Sequence, residues 1–217
     1  MVILNFHGLG EPASTQSRSD GLYWTDPRFF AAILETVRDR RDVLVTFDDS
    51  YESDYSIALP LLKASKMTAR FFVVASRMGQ SGYLSGKQIQ ALCAEGMTIG
   101  SHGMHHRKWT ALSDHELEEE VVEARDRIEQ MTGRRVLEAA CPFGGYNRRV
   151  LRRLRASGFQ RVYTSDGGPA SAEFWIQPRN TIVRDDDLER VLSIVTEVPS
   201  GPRAAWRRLK LRLKRWR

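Results

Sequence analysis

The sequence predicts an α/β protein with a parallel sheet, either barrel-like or open, and three observations support this fold class. Short apolar runs alternate with amphipathic segments about seven times along the chain. The connections between these segments are short, and no internal repeat is present. Polar residues follow the ends of most apolar runs. Because sites in such folds lie at the carboxyl ends of the strands, we expect the chemistry there.

The apolar runs predict seven strands. They are rich in β-branched and aromatic residues, which favour buried strands. The predicted strands cover residues 2–6, 43–47, 70–75, 97–101, 136–140, 161–165 and 174–177, of which the last two have the weakest pattern.

Capping residues and amphipathic patterns predict the helices between the strands. Asp26 followed by Pro27 is typical of a helix start, and Ser113 with Glu116 forms a capping box. Six helices are predicted. The first begins at Asp26, and the second covers 53–65 with a kink or early turn at Pro60. The other four run from Ser85 to before Gly96, from Ser113 to Gly133, from Asn147 to Gly158, and from Asp185–Asp187 to about Val195.

The net charge of +6 is unevenly distributed over the 217 residues. Eight of the 33 Lys and Arg residues lie in residues 203–217, and the remaining 25 stand against 27 acids, which gives a net charge of −2. The sequence therefore predicts a mildly acidic domain over residues 1–198 and a basic tail over 199–217. The high pI does not argue for nucleic-acid binding by the body of the protein.

Cysteine usage and hydropathy bear on location. Cys93 and Cys141 are the only two cysteines, which favours reduced thiols over a disulfide framework. No run of 18 apolar residues is present, and the first residues lack the pattern of a secretory signal. These features predict a cytoplasmic protein, peripheral on the inner membrane face if the tail binds lipid.

Two adjacent carboxylates, Asp48 and Asp49, end the second predicted strand, and two histidines, His102 and His106, follow the fourth. On a helical turn, a spacing of four would place both imidazoles on one face. Together with Asp49 they would form a set of two histidines and one carboxylate, which leaves coordination positions open on a divalent ion. The alternatives are a polar surface loop for the histidines and a helix N-cap for one aspartate, although capping requires only one of the pair.

The segments TFDDS, SHGMHH and CPFGGYN resemble the first three motifs of the NodB-type polysaccharide deacetylases, carbohydrate esterase family four, and the likeness covers roughly residues 1–195. The resemblance implies a distorted, incomplete barrel of seven to eight β/α units. It implies that Asp48 is the catalytic base and that Asp49, His102 and His106 bind a divalent metal, usually zinc. The implied reaction is hydrolysis of an N-acyl group, usually acetyl, on an amino sugar. For this chain we expect the acyl group to be acetyl or formyl.

The chain departs from this family pattern in its third motif. The family usually has an Arg two residues before the motif's Pro, where it orients the base, but this chain has Ala140. We hypothesise that Arg179, at the end of a later strand, supplies the charge and that Asp166 helps to position it. The alternative is that Arg179 is a surface residue.

The general acid also departs from the pattern, because the family's last motif carries a His and this chain has none after His115. His7, at the end of the first strand, and His105 are the candidates, although His105 is expected to point away from the site. A metal-bound water or Asp48 itself, after taking up a proton, are the other options.

The third motif also predicts contacts with the substrate. A backbone N–H of the Phe143–Gly144 turn is expected to hold the oxyanion, and Tyr146 is expected at the substrate. Five aromatic residues suit either stacking on a sugar or packing, namely Tyr23, Trp24, Trp109, Tyr146 and Trp175. Cys141 is expected to be buried rather than nucleophilic.

The leading hypothesis is therefore a metal-dependent N-deacetylase acting on an amino sugar, on a lipid-linked or glycan-assembly intermediate. Hydrolysis of a non-sugar amide or cyclic imide and a catalytically silent sugar-binding protein are the alternatives. In the tail, Trp206, Leu209, Leu213 and Trp216 would share one side of a helix whose other sides are basic, which suits an anionic membrane surface. A solvated tail or an acidic partner is the alternative.

Overall fold

The computed structural model describes residues 1–12 and 18–197, together with Leu211, Leu213 and Lys214. Eight parallel strands form one sheet in the order β7-β6-β5-β4-β3-β2-β1-β8. Their bounds are β1 Val2–Phe6, β2 Val43–Phe47, β3 Ala69–Val73, β4 Thr98–Ser101, β5 Glu138–Ala140, β6 Arg161–Thr164, β7 Ile176–Pro178 and β8 Asn180–Thr181.

The two ends of this sheet come from one continuous stretch of chain. Only Arg179 separates β7 from β8, and β7 pairs with β6 whereas β8 pairs with β1. The strands therefore run around a nearly closed barrel, which confirms the predicted fold class. The last predicted strand, 174–177, corresponds to β7 at Ile176–Pro178, and β8 was not predicted; Arg179 lies between the two, in the wall of the barrel.

The helices cover the outside of the sheet. Their bounds are α1 Pro27–Val37, α2 Leu59–Ala64, α3 Gly86–Ala94, α4 Asp114–Glu118, α5 Ala124–Thr132, α6 Arg148–Ala156 and α7 Leu188–Thr196. The side chains of Asp26, Ser85, Ser113, Asn147 and Asp187 accept backbone N–H bonds at the starts of α1, α3, α4, α6 and α7. None of the helices in the described ranges is both long enough and apolar enough to cross a bilayer.

Two of the predicted helices contain π-helical segments, Asp54–Ala58 before α2 and Glu119–Glu123 between α4 and α5. The helices lie where they were predicted, but the π-helical turns within them were not predicted. Each segment buries one acidic side chain, Asp54 in the first and Glu120 in the second.

The interior of the barrel divides into an apolar layer and a polar layer. Ile3, Phe72, Ala140 and Tyr163 form a small cluster separate from the large core between sheet and helices. Along β1, Ile3 and Asn5 are successive inward side chains, because every second residue of a strand faces the same side. The polar layer that contains Asn5 therefore lies two residues nearer the carboxyl ends of the strands than the apolar layer. This arrangement places buried polar groups directly beneath the expected site.

The predicted boundary between residues 1–198 and 199–217 stays a prediction. Helix α7 ends at Thr196, and most of the tail lies outside the described residues. Of the predicted apolar stripe in the tail only Leu213 is described, and it is exposed.

Candidate active site

The two adjacent aspartates point to different partners because the chain turns sharply between them. Asp48 still donates its backbone N–H to Phe6 O as β2 ends. Asp49 and Ser50 then adopt left-handed backbone conformations, with φ of 76° and 64°. The Ser50 hydroxyl accepts a bond of 2.7 Å from Val74 N, which holds this turn. Neither aspartate caps the following helix, so the N-cap alternative is wrong.

Asp48 lies in the polar layer of the barrel and is paired with Arg179. The guanidinium donates two bonds of 2.7 Å, from Nη1 to Asp48 Oδ1 and from Nη2 to Oδ2. Asn5 Nδ2 lies 3.2 Å from Oδ2. Burial by itself raises the pKa of Asp48, but the charge and hydrogen bond of Arg179, together with His102 and His7, outweigh it, and the net pKa is held well below its usual value. The carboxylate is therefore ionised at neutral pH.

Arg179 is fully buried, so the alternative of a surface arginine is wrong. Its Nη1 also donates 2.6 Å to Asn5 Oδ1, and its guanidinium lies over the Phe72 ring, 5.2 Å from the centroid. Ala140 belongs to the same interior cluster as Phe72. The Arg179 guanidinium therefore lies beside the interior cluster that includes Ala140.

Asp166 does not position Arg179, so this part of the hypothesis is wrong. Within the described residues its carboxylate accepts bonds from the Tyr146 hydroxyl, the Thr164 hydroxyl and Lys214 Nζ, and none from Arg179. Asn5 orients the guanidinium instead. The signal for it in the sequence is a polar residue inside the otherwise apolar strand β1.

His102 and His106 converge, although not through the helical turn that their spacing suggested. The segment after β4 is an irregular loop, with a φ of 87° at Gly103 and 57° at His106. These left-handed residues prevent a helix, yet they bring the imidazole centroids to 4.8 Å. His102 Nδ1 lies 2.9 Å from Ala140 O. Because a carbonyl only accepts, Nδ1 carries the proton and Nε2 is left as a lone-pair donor.

Asp49, His102 and His106 fit a divalent metal. Asp49 Oδ1 lies 3.3 Å from His106 Nε2 and 3.9 Å from His102 Nε2, and one ligand atom from each of the three residues lies within 4.8 Å of the others. Atoms that each bind one ion at about 2.1 Å are separated by about 3 to 4 Å. Burial lowers the pKa of His106 to about 4, so its imidazole is neutral, as a ligand must be.

Two further residues support this cluster and were not anticipated from the sequence. Glu120, fully buried in the second π-helical segment, accepts bonds from His105 N and Trp109 Nε1 at 2.8 Å and 3.1 Å. These two bonds anchor the loop that follows β4, which carries His102 and His106 and which we call the histidine loop, to the helix that contains Glu120. Arg77 donates to Asp49 Oδ1 at 3.2 Å and to its carbonyl at 3.3 Å, which orients that carboxylate.

Backbone strain concentrates at this site. The described residues contain five non-glycine residues with positive φ, and four of them, Asp49, Ser50, His106 and Phe143, lie at the two aspartates, the histidine loop and the third motif. Such conformations cost about 1 kcal/mol or more each and persist only where the surroundings hold them. Four of these five residues therefore lie at the carboxyl end of the barrel, where the candidate site was expected.

A cavity of about 450 Å³ opens above these groups. It is lined by His7, Tyr23, Asp48, Asp49, Tyr51, His102, His106, Phe143, Ser165, Thr181 and Val183. Phe143 is 68% exposed at its rim, and its ring centroid lies 4.5 Å from that of His106. Both aspartates, both histidines and an aromatic wall therefore face one opening.

The third motif differs in detail from the prediction. Gly144 N donates 2.9 Å to Cys141 O, so this N–H is not available to an oxyanion. The N–H of Phe143 has no partner among the described residues. Tyr146 is buried and donates its hydroxyl to Asp166, so it does not line the cavity. Burial raises the pKa of the Cys141 thiol to about 12, in keeping with a buried small residue.

His7 and His105, the two candidates for the general acid, differ in whether they face the cavity. His7 lines the cavity, its Nδ1 is buried without a partner in the described part of the chain, and burial lowers its pKa. His105 is half exposed and directs Nε2 to Glu119 at 3.2 Å, away from the cavity. Among the five aromatic candidates for stacking, Tyr23 alone lines the cavity.

Comparison with known proteins places this site in a family. A family model described as polysaccharide deacetylase matches residues 36–162. The protein YxkH of Bacillus subtilis is 28% identical over 131 residues, which cover 60% of this chain and 47% of that protein. A peptidoglycan-N-acetylglucosamine deacetylase of Bacillus cereus is 29% identical over 133 residues, which cover 60% of each protein.

The fold matches that of a Streptococcus pyogenes deacetylase, PplD, solved in complex with acetate. The TM-score is 0.81 at 21% identity, and the match covers 91% of this chain and 98% of that one. The chain spans about half to three fifths of the length of the two relatives named above. Because the family model covers residues 36–162, more than half of its 217 residues, the chain belongs to the polysaccharide deacetylase family.

Proposed function

We propose that this protein is a metal-dependent hydrolase that removes an N-acetyl or N-formyl group from an amino sugar. The observation that carries the proposal is one cavity in which Asp49, His102 and His106 lie within 4.8 Å of one another beside the Asp48–Arg179 pair. The name of the Bacillus cereus relative, a peptidoglycan-N-acetylglucosamine deacetylase, supports a sugar substrate.

Asp49, His102 and His106 would hold the metal, and two imidazoles with one carboxylate are a donor set that suits zinc. A divalent ion bound there would supply Lewis-acid polarisation of the acyl oxygen. The chain itself prepares the donors. The bond from His102 Nδ1 to Ala140 O selects the tautomer, and Glu120 holds the loop that carries His106.

Asp48 serves as the base in this proposal. Arg179 helps to keep it ionised. Oδ2 accepts bonds from both Arg179 and Asn5, whereas Oδ1 accepts one from Arg179 and keeps a lone pair that can take a proton from the water that attacks the acyl carbon. Because His102 Nε2 lies 3.8 Å from Asp48 Oδ2, base and metal donors share one reaction volume.

The N–H of Phe143 is the donor that remains for the developing oxyanion. His7 is the candidate that protonates the leaving amine. Burial lowers the pKa of His7, so its cationic form is a stronger acid than a free imidazolium. Cleavage of the C–N bond then yields the free amine and a carboxylate.

Metal analysis combined with an acetate and formate release assay tests the proposal. The panel contains N-acetylated and N-formylated amino sugars, a simple N-acyl amine and a cyclic imide. We expect about one equivalent of metal, release from at least one sugar, loss of metal in His102→Ala, and retained metal with at least 100-fold lower kcat in Asp48→Asn. Release only from the simple N-acyl amine or the cyclic imide would contradict the sugar substrate and identify a non-sugar amide as the substrate. Sugar binding without any release would establish a silent homologue.

We further propose that the tail of residues 203–217 binds anionic membrane surfaces, which would bring a cytoplasmic enzyme to lipid-linked sugars. The support is its eight Lys and Arg residues without an acid, interleaved with Trp and Leu. Vesicle sedimentation with neutral or phosphatidylglycerol-containing lipid, at two salt concentrations, tests this proposal. The full chain is expected to bind only anionic vesicles, less at high salt, and a chain ending at residue 202 is expected not to bind. Equal binding by both chains would refute it.

A further inference from the structure

Lys214, from the tail, contacts the third motif at the rim of the candidate site. Its Nζ donates 2.7 Å to Asp166 Oδ1 and 2.8 Å to Gly144 O, and it lies 4.1 Å from the centroid of the Tyr146 ring. Tyr146 in turn donates its hydroxyl to Asp166 Oδ2 at 2.8 Å. These four groups form one connected cluster, which we name the Lys214 cluster.

The Lys214 cluster differs from the usual pair of exposed charges. The side chain of Asp166 is only 9% exposed, and Lys214 is the cation that meets it. A mostly buried carboxylate needs a counter-charge or several donors, whereas exposed pairs contribute little. The ammonium also lies against an aromatic face, where cation–π attraction adds to the ion pair. The position of Lys214 is thus defined by three groups at once.

One of these groups belongs to the turn that carries the proposed oxyanion donor. Phe143 and Gly144 are consecutive left-handed residues, with φ of 56° and 60°. Gly144 N bonds to Cys141 O on the inner side of the turn, and Lys214 bonds to Gly144 O on the other. A strained turn keeps its conformation only when it is held from several directions. The Lys214 contact is therefore well placed to orient the N–H of Phe143.

We propose that Lys214 is a positioning residue, which holds the Phe143–Gly144 turn in its reactive geometry, so that the C-terminal segment completes the wall of the active site. This inference rests on the proposed function. It assigns a role to Asp166, which the chemistry at the metal donors does not use, as the anchor for the tail lysine. Lys214 itself acts through the turn and does not act on the reacting atoms.

Three single variants of the full-length chain test this role. Lys214→Met keeps the length of the side chain and removes the charge, and Lys214→Arg restores a cation. Lys63→Met is the matched control, because Lys63 forms an ion pair with Glu95 at the same distance of 2.7 Å on the surface. The two readouts are acetate release from an N-acetylglucosamine oligomer and hydrogen exchange of the backbone amides in residues 141–147.

In Lys214→Met we expect kcat to fall about tenfold with KM changed less than twofold, because a displaced oxyanion donor affects the transition state more than binding. The Gly144 and Gly145 amides should exchange faster, while metal content and melting temperature stay close to wild type. Lys214→Arg should recover most of both signals, and Lys63→Met should alter neither. Unchanged exchange at Gly144 and Gly145 in Lys214→Met would overturn the inference.

Failure of the proposed function gives a different pattern. If the wild type binds metal but releases no acetate or formate from any substrate of the panel, the deacetylase proposal fails. The exchange measurement then still decides whether Lys214 holds the turn. If instead the wild type is active and Lys214→Met loses activity only through a higher KM, Lys214 contributes to substrate binding and the positioning role is wrong.

Discussion

Replacement of Arg179 by Met is the most informative perturbation of the buried pair. The side chain is fully buried and donates two bonds to Asp48 and one to Asn5 Oδ1, all between 2.6 and 2.7 Å. Met fills similar space without a charge. The variant therefore leaves the Asp48 carboxylate buried without its counter-ion, which is the costly way to break such a pair.

The cost can be estimated from the protonation of Asp48. Without Arg179, burial dominates and raises the pKa of Asp48, so the folded state holds a neutral carboxyl where the unfolded chain is ionised. This costs about 1.4 kcal/mol for each pH unit above an ordinary pKa near 3.9. The expected loss in free energy of unfolding is at least about 4 kcal/mol at pH 7 and at least about 1.5 kcal/mol at pH 5, because the stabilisation that the lowered pKa gives the wild type is lost in addition.

The sign of the pH dependence distinguishes the variant from wild type. In wild type the pKa of Asp48 is lowered, so its stabilising contribution is present above pH 4 and is lost as the pH falls further. In Arg179→Met the pKa is raised, so the difference from wild type grows with rising pH. Urea unfolding at pH 5, 6 and 7 in the presence of a chelator measures this difference without the charge of a bound metal.

A double-mutant cycle completes the test. Asp48→Asn removes the charge from the other side, and the double variant should be more stable than additivity predicts by at least about 2 kcal/mol. Arg38→Met is the control, because Arg38 pairs with Glu35 on the surface and should cost less than about 0.5 kcal/mol. A pH-independent loss, or additive single variants, would refute the idea that Arg179 acts on Asp48 through charge.

Three further predictions concern the supporting structure. Glu120→Ala should lower metal affinity about 10- to 100-fold, measured by competition with a chromogenic chelator, because it frees the histidine loop; unchanged affinity would contradict this role. Neither Cys141 nor Cys93 should react with a thiol reagent at pH 8 in the native state, since burial raises the pKa of both thiols; rapid modification before unfolding would count against it. Gly8→Ala should cost about 1 to 3 kcal/mol in urea unfolding, because its Cβ would lie 2.3 Å from the Trp24 ring, and a neutral effect would show that this ring can move.

The predicted metal donors followed from signals that are local in the sequence. Asp49 directly ends an apolar strand, and His102 and His106 follow another, so parallel strand order alone brings them to one end of the barrel. The helical turn assumed between the histidines was wrong, because Gly103 and His106 take left-handed conformations. The three residues nevertheless converge, because the irregular loop also ends at the rim to which the strands lead.

Contacts between distant parts of the chain were harder to predict. Arg179 could be proposed as the partner of Asp48 because the third motif has Ala140. Its bidentate contact with Asp48, 131 residues earlier in the chain, depends on the closure of the barrel by the last strands. The assignment of Asp166 to Arg179 was wrong, because the Tyr146 hydroxyl and Lys214 occupy that carboxylate. The π-helical segment that buries Glu120 has no clear signal in the sequence, where the helix start at Ser113 shows an ordinary capping box.

The sequence by itself determined the order of strands and helices, the helix caps, and the end of the barrel where the aspartates and histidines gather. These features depend on residues within a few positions of each other, through backbone periodicity and capping. Only the tertiary structure decided which cation meets which acid, namely Arg179 on Asp48 and Lys214 on Asp166. Such pairs depend on barrel closure and on the space left inside it, which sequence spacing does not encode.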